Sequence, residues 1–326
     1  MKILICCASS LGDVLFSTPL IRALKVCLDD PEIHYALPKR WQPALQENPY
    51  VDKIVAIKGL HRYLGDGYDY MVDLGFHFWL RLGRFAGVPV RGYTRPWWQQ
   101  WLLVNMGINK LKNVHVVDRM MQTVAPLGVY KDALGLDYFI PDSDVVPPEW
   151  LPPDFQKGFV LFSLHAPYST RKLPVERMIE LCDRINKPVV LVGDKSDIRR
   201  GEEVARFFQR SESGHPMEEG LEALNKKAIV YNGCGKFNMN QVASLVQQAA
   251  RVFTFDSDIV AVASAFRKPV CLVLGNTVSL FGRYPYHTKF VVLENNKVHC
   301  RPCTSRGFSK CPKGHFKCMR EVGLDF

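Results

Sequence analysis

Met1-Lys2-Ile3-Leu4-Ile5-Cys6-Cys7-Ala8-Ser9-Ser10-Leu11-Gly12-Asp13-Val14-Leu15-Phe16, with its amphipathic continuation to Lys25, decides how the rest of the chain is read. The apolar run Ile3–Cys7 predicts a strand, Ala8–Gly12 a tight small-residue loop, and Val14–Lys25 a helix. Strand, loop and helix in this order open an α/β domain whose ligands bind beyond the carboxyl ends of parallel strands. Asp13 therefore stands where such domains do their chemistry. An Asp ahead of an apolar-periodic run is also a preferred helix N-cap, its oxygen accepting an orphan backbone N–H. The loop alone supports both roles equally.

Outward from this stretch, strands and helices alternate. Strands are predicted near Ile33–Leu37, Lys53–Ile57 and Tyr70–Leu74, and helices near Arg40–Glu47, Phe78–Phe85 and Val117–Leu127. The proline-rich passage Pro141–Pro153 reads as a linker, dividing the chain into domains 1–145 and 154–326. Alternation then restarts, with strands at Gly158–Leu164, Val189–Val192, Ala228–Tyr231, Val252–Phe255 and Val270–Leu274. The helices between them are Pro174–Ile185, Asp197–Phe208, Asn240–Gln248 and Ile259–Phe266. Two successive βα domains with parallel sheets imply a cleft between the strand ends, where ligands are held.

With 47% apolar and 23% charged residues in 326, the chain is a soluble globular type rather than a disordered one. No run of eighteen apolar residues and no secretory leader is present, which predicts a cytoplasmic protein without a transmembrane span. A net charge of +10 favours an anionic partner: a phosphorylated substrate, an acidic membrane surface or nucleic acid. Basic residues are dispersed and no nucleic-acid motif occurs, so nucleic acid is not expected. The acidic stretch 211–224 reads as an exposed connection without chemistry.

Six of the ten cysteines, Cys6, Cys7, Cys27, Cys182, Cys234 and Cys271, are scattered and read as small reduced hydrophobes. The others, Cys300, Cys303, Cys311 and Cys318, cluster near the end with His299 and His315. Their residue types suit zinc, but the spacing is not that of two paired C-x2-C units.

Laid out in this way, the chain resembles glycosyltransferase family 9, the ADP-heptose:lipopolysaccharide heptosyltransferases. The resemblance rests on Gly12-Asp13-Val14-Leu15 with Thr18-Pro19-Leu20-Ile21-Arg22-Ala23-Leu24-Lys25, on Asp73-Leu74 with Gly75 and His77, and on Thr170-Arg171-Lys172-Leu173-Pro174. Asn232-Gly233-Cys234-Gly235 with Gln241 and Ser244, Asp256-Ser257, Lys268-Pro269-Val270, Gly275-Asn276-Thr277 and the terminal cysteines complete it. The resemblance implies a GT-B fold of two Rossmann-like domains, with the nucleotide sugar held mainly by the second. It also implies an inverting reaction without a metal ion or other cofactor. Asp13 matches the family's base, with Ser10 and Gly12 on the acceptor-side loop; Arg171 or Lys172 supplies the diphosphate's cation; Asp256 and Ser257 belong to the donor loop. The implied partners are a nucleotide-sugar donor and a lipid-linked or oligosaccharide acceptor, reached at the inner membrane surface. The cysteines are implied to form a metal-free packed or locally cross-linked tail.

The donor loop departs from the family pattern. Asp258 replaces a glycine and Ala261 a histidine. A carboxylate about 5 Å from a phosphate charge costs roughly 3 kcal/mol at an effective dielectric of about 20, on the order of a hundredfold in affinity. Three outcomes follow: Asp258 caps a helix, pairs with a nearby cation, or spoils the donor site and leaves a non-catalytic binding protein. The sequence also places Trp97, Trp98 and Trp101 within five positions, after Arg91 and Arg95. Three such rings cannot share one helix face, so partial exposure beside the acceptor or a membrane is expected.

Overall fold

A computed structural model describes residues 1–58, 66–75, 87–212 and 228–326, without the side chains of 210–212. His77, the expected helix 78–85 and most of the acidic stretch 211–224 lie outside the described residues.

Two all-parallel sheets organise the chain. The first holds β1 (Lys2–Cys6), β2 (Glu32–Leu37), β3 (Lys53–Ala56), β4 (Tyr70–Asp73) and β5 (Val90–Gly92), in the order β3-β2-β1-β4-β5. The second holds β6 (Val160–Ser163), β7 (Val189–Val192), β8 (Val230–Asn232), β9 (Val252–Phe255), β10 (Val270–Leu274) and β11 (Phe290–Glu294), in the order β11-β10-β9-β6-β7-β8. Each order reverses direction between its first and fourth strands, the switch point where α/β sheets open a crevice. The crevices thus lie beyond β1 and β4 in one half, and beyond β6 and β9 in the other. Ile3, Leu4, Ile5 and Cys6 are fully buried, as a central parallel strand covered on both faces must be.

The helices depart from the sequence reading at prolines. Instead of one helix from Val14 to Lys25, there are two, Leu11–Phe16 and Thr18–Cys27, parted at Ser17. Pro19 has no N–H and its ring crowds the carbonyl four residues back, so a continuous helix fails there. The hydroxyls of Ser17 and Thr18 donate to the carbonyls of Val14 and Leu15, at 2.7 and 2.8 Å. Around Pro43 the expected helix Arg40–Glu47 is only a 3-10 segment, Lys39–Ala44. The helix expected over Val117–Leu127 is Val116–Met121 followed by a 3-10 turn holding Pro126. Strands β5 and β11 were not anticipated; each is an edge strand, and Phe290 and Val291 of β11 are exposed. Among the described residues, no helix is long and apolar enough to cross a membrane.

One continuous apolar core joins the halves, running from Leu11, Val14 and Leu15 to Ile259–Ala263 and Val242–Val246. The proline-rich passage is docked on the second half: Val146 N–H donates to Ser244 at 2.9 Å, and Asp144 accepts from Asn238 and Asn240 at 2.8 Å. His115 is a second tie. Its Nε2 meets the Tyr284 carbonyl at 2.9 Å, while its ring packs against Phe16, Tyr284 and Tyr286.

Burial holds the His115 imidazole neutral, pulling its pKa down to about 4 from an ordinary 6.5. Between these values the unfolded chain binds a proton that the folded one does not, so stability falls as pH drops. Urea unfolding is predicted to show roughly 2–3 kcal/mol less stability at pH 4.5 than at pH 7 from this group. His115→Gln should flatten that part of the profile; an unchanged slope in the variant would contradict the assignment.

Candidate active site in the cleft

Asp13 lies in the first turn of the helix that follows β1, but it does not cap it. Ser10 is the N-cap, its hydroxyl accepting the Asp13 N–H at 3.0 Å. The Asp13 carboxylate, 1% exposed, turns instead toward the second half of the molecule. Arg283 Nη2 meets both of its oxygens, at 2.7 and 2.9 Å, and Nε meets Oδ1 at 3.2 Å. Arg95 Nη2 approaches Oδ2 at 3.3 Å, and Ser9 donates its hydroxyl to the same oxygen at 2.5 Å. Burial alone would raise the carboxyl, but Arg283 first, then Ser9 and Arg95, hold it below its usual range. A buried carboxylate needs such partners, because an unpaired one costs several kcal/mol.

The sequence marks neither arginine as a partner of Asp13. Arg95 follows β5, a strand too short to read, and Arg283 lies in the loop between β10 and β11. No local pattern in Phe281-Gly282-Arg283-Tyr284-Pro285-Tyr286 marks it. Its position comes from tertiary pinning: the Gly282 carbonyl accepts Val116 N–H at 2.9 Å, next to the His115 tie. Gly282 has φ +83°, and a Cβ there would meet the Val114 carbonyl at 2.6 Å. Only glycine fits this turn and contact together. Both side chains remain about one-third exposed, so Asp13 is buried beneath arginines that reach solvent.

The residues expected to form a donor loop, Asp256, Ser257 and Asp258, follow β9. Asp256 accepts the Thr277 hydroxyl at 2.8 Å and pairs with Arg171 at 3.2 Å; it caps no helix. Arg171 also donates to the Asp256 backbone carbonyl at 2.8 Å. Ser257 shares a hydrogen bond with Thr254 at 3.0 Å. Asp258 occupies the N-cap position of the helix Ile259–Ala265 yet makes no side-chain bond to it. Its Oδ1 instead accepts the Gly12 N–H across the cleft at 2.8 Å. A Cβ on Gly12 would come within 2.9 Å of that oxygen, so Gly12 is required by this approach. Asp258 thus caps, but it caps the Asp13 helix of the opposite half. Burial, reinforced by nearby Asp13, raises its carboxyl toward the neutral form against Gly12, His165 and Arg283. Ala261 is fully buried in the core that joins the halves.

Arg171 and Lys172 part company. Arg171 reaches the Asp256 loop at the cleft, whereas Lys172 is buried and its Nζ lies 2.5 Å from Asp197 Oδ1. Asp197 is itself fully buried, and its Oδ2 has no partner. Removing the lysine would leave this charge uncompensated. Lys172→Met is predicted to cost about 3–5 kcal/mol of unfolding free energy in urea; a loss under about 1 kcal/mol would show that the pair is not structural.

Elsewhere, Trp97, Trp98 and Trp101 open the helix Trp97–Met106, of which no residue is buried. Their exposures are 67%, 52% and 45%, and Trp98 and Trp101 stack at 5.1 Å. Of the six scattered cysteines five are buried and Cys27 is exposed; all ten are free thiols, so none of the terminal four is cross-linked.

Residues 82–312 match the family model of glycosyltransferase family 9 (heptosyltransferase). The match begins after the Asp13 loop. A glycosyl transferase family 9 structure from Veillonella parvula is 19% identical and superposes with a TM-score of 0.68, over 91% of this chain and 86% of its own. The E. coli ADP-heptose lps heptosyltransferase II is 19% identical, with a TM-score of 0.67 over 91% of this chain and 92% of its own. The E. coli heptosyltransferase WaaC, solved with ADP, is 18% identical, with a TM-score of 0.61 over 90% and 93%. No curated protein matches the sequence. The two parallel sheets are those of the GT-B fold, and with a family match over well more than half of its length the chain belongs to glycosyltransferase family 9.

Proposed function

We propose that the chain is an inverting glycosyltransferase, independent of a catalytic metal, that moves heptose or a similar sugar from a nucleoside diphosphate to a lipopolysaccharide-type or related glycan. The observation that carries this reading is the buried Asp13 carboxylate held by Arg283 and Arg95, with Arg171 beyond it on the Asp256 loop. Asp13 takes the proton of the acceptor hydroxyl, and that oxygen attacks the anomeric carbon. The bond from this carbon to the diphosphate breaks, and the electron pair leaves with the nucleoside diphosphate. Guanidinium groups stabilise the departing charge, the work a divalent ion does in other designs.

The resting ion pair fits this sequence of events. Clamped by two arginines, Asp13 is a poor base; an incoming diphosphate competes for the same guanidinium groups and lets the carboxyl rise toward the working range. Asp258 does not abolish donor binding on this reading, because its oxygen is engaged with the Gly12 amide of the opposite half. The donor is tested with ADP-heptose beside GDP- and UDP-sugars. Asp13→Asn is predicted to lower turnover by about a hundredfold or more while the protein stays folded. Undiminished turnover would remove Asp13 from the chemistry, and no turnover or binding with any donor would leave a binding protein.

The pH profile carries a second test. Because Arg283 holds the Asp13 carboxyl down, the acid limb of kcat/KM in the wild type lies below the ordinary aspartate range. Arg283→Ala removes that cation, so the limb should move to higher pH; an unmoved limb would contradict the pairing.

The acceptor side is assigned to the first half, at the inner surface of a membrane. The unburied tryptophan helix is continued by exposed Met106, Ile108, Lys110 and Lys112, an apolar face beside basic side chains. That combination suits an anionic lipid surface bearing the acceptor. Trp97→Ala with Trp98→Ala is predicted to weaken sedimentation with anionic vesicles about tenfold. Undiminished binding would sink the membrane assignment and leave the transferase reading standing.

A further inference from the structure

Much of the positive charge of the chain lies where the cleft chemistry does not use it. Residues 295–320 hold seven Lys or Arg residues and no Asp or Glu, against a net charge of +10 for all 326 residues. Charge gathered at this density on one segment attracts an anion. Among the described residues, the ion pair made by this stretch is that of Arg301 with Glu294, at 2.9 Å. Lys297, Lys313 and Lys317 are exposed and have no carboxylate partner among the described residues.

These three lysines line one cavity of about 840 Å³, within the range of about 300–1,000 Å³ usual for small-molecule sites. Its walls are two facing segments, 294–300 and 313–323, tied to each other twice. Asn295 Nδ2 donates to the Glu321 carbonyl at 3.0 Å, and His315 Nε2 lies 3.7 Å from the Cys300 sulfur. Arg301 fixes the first wall, its guanidinium donating to the carbonyls of Gly275, Asn295 and Thr277 and pairing with Glu294. Glu294 also lines the cavity but is neutralised by that pair, which leaves Glu321 against three lysines among the described residues of the lining. His315 Nδ1 accepts the Lys317 N–H at 3.0 Å, so Nε2 carries a proton and adds an N–H to the walls.

We propose that this cavity is a second binding site, apart from the cleft, for the phosphate group of a phosphorylated saccharide. Three ammonium groups around one hollow match a dianionic phosphomonoester in charge. Glu321 and His299, exposed and without side-chain partners among the described residues, are free to bond sugar hydroxyls. Among the described residues the lining holds no phenyl, phenol or indole ring, so it offers no platform on which a nucleobase stacks. The concave walls enclose a discrete group, which a flat bilayer surface is not.

The site stands beside the cleft. Glu294 ends β11, and the sheet is parallel, so the wall that follows it lies beyond the same carboxyl edge as the Asp256 loop after β9. Arg301 joins the two places. It holds the Thr277 carbonyl at 3.1 Å, and Thr277 donates its hydroxyl to Asp256 at 2.8 Å. Two sources carry the same ligand chemistry, a phosphate on the acceptor glycan or a free sugar phosphate. Only the first rests on the function proposed above.

Lysine acetylation of the full chain, read residue by residue by mass spectrometry, tests the site without any transfer reaction. Glucose 6-phosphate is expected to slow acetylation of Lys297, Lys313 and Lys317 at least about threefold, and glucose to leave it unchanged. In calorimetric titration, Lys313→Ala with Lys317→Ala should weaken glucose 6-phosphate binding at least about tenfold, whereas Arg171→Ala, in the cleft, should keep it. Both lysines are exposed, and the protection experiment needs no variant. A phosphorylated lipopolysaccharide oligosaccharide that binds more tightly than glucose 6-phosphate, and loses that gain on phosphatase treatment, identifies the acceptor as the source. No gain identifies a free sugar phosphate. Lysines left unprotected by glucose 6-phosphate, or binding that survives the lysine substitutions, overturn the site. So does protection by polyuridylic acid or anionic vesicles without protection by glucose 6-phosphate.

Discussion

The ion pair between Asp13 and Arg283 joins the two halves at the place where each has its crevice. A carboxylate buried to this degree is tolerable only with its charge matched and its lone pairs filled, and Arg283, Arg95 and Ser9 do both. Everything that sets the cleft serves this arrangement. Ser10 caps the helix so that Asp13 is free to turn; Gly282 and His115 fix the loop that carries Arg283; Gly12 leaves room for Asp258 to bridge from the other side. The same pairing makes the resting carboxylate a weak base and its arginines ready for a competing anion.

The fold was legible because its signals are local. Ile3–Cys7, Val189–Val192, Val252–Phe255 and Val270–Leu274 are apolar runs bounded by loops, and they became strands of parallel sheets. The break at Ser17 is encoded by Pro19, but apolar periodicity runs on across it and masks the break in the pattern. The short β5 and the partly exposed β11 carry little burial, hence little pattern. The site was half legible. Asp13 and the Asp256 loop announce themselves by following strands, whereas Arg283 and Arg95 are brought in by contacts more than eighty residues apart in sequence, which no spacing encodes.

One departure from the family pattern and one adjacent basic pair acquire physical meaning. Asp258, which at a donor loop reads as a charge facing a charge, accepts an amide of the opposite half, and burial raises its carboxyl above the ordinary value. Of the adjacent basic pair, Arg171 faces the cleft while Lys172 neutralises Asp197 in the interior. Which residue faces the cleft is decided by the side of the turn on which it falls, and adjacent residues of like charge end in unlike surroundings.

Calorimetric titration of ADP into wild type and Asp13→Asn tests the central claim most directly. If Asp13 competes with the diphosphate for Arg283 and Arg95, removing its charge should tighten ADP binding by about threefold or more even as turnover is lost. Unchanged or weaker ADP binding by Asp13→Asn would contradict the account.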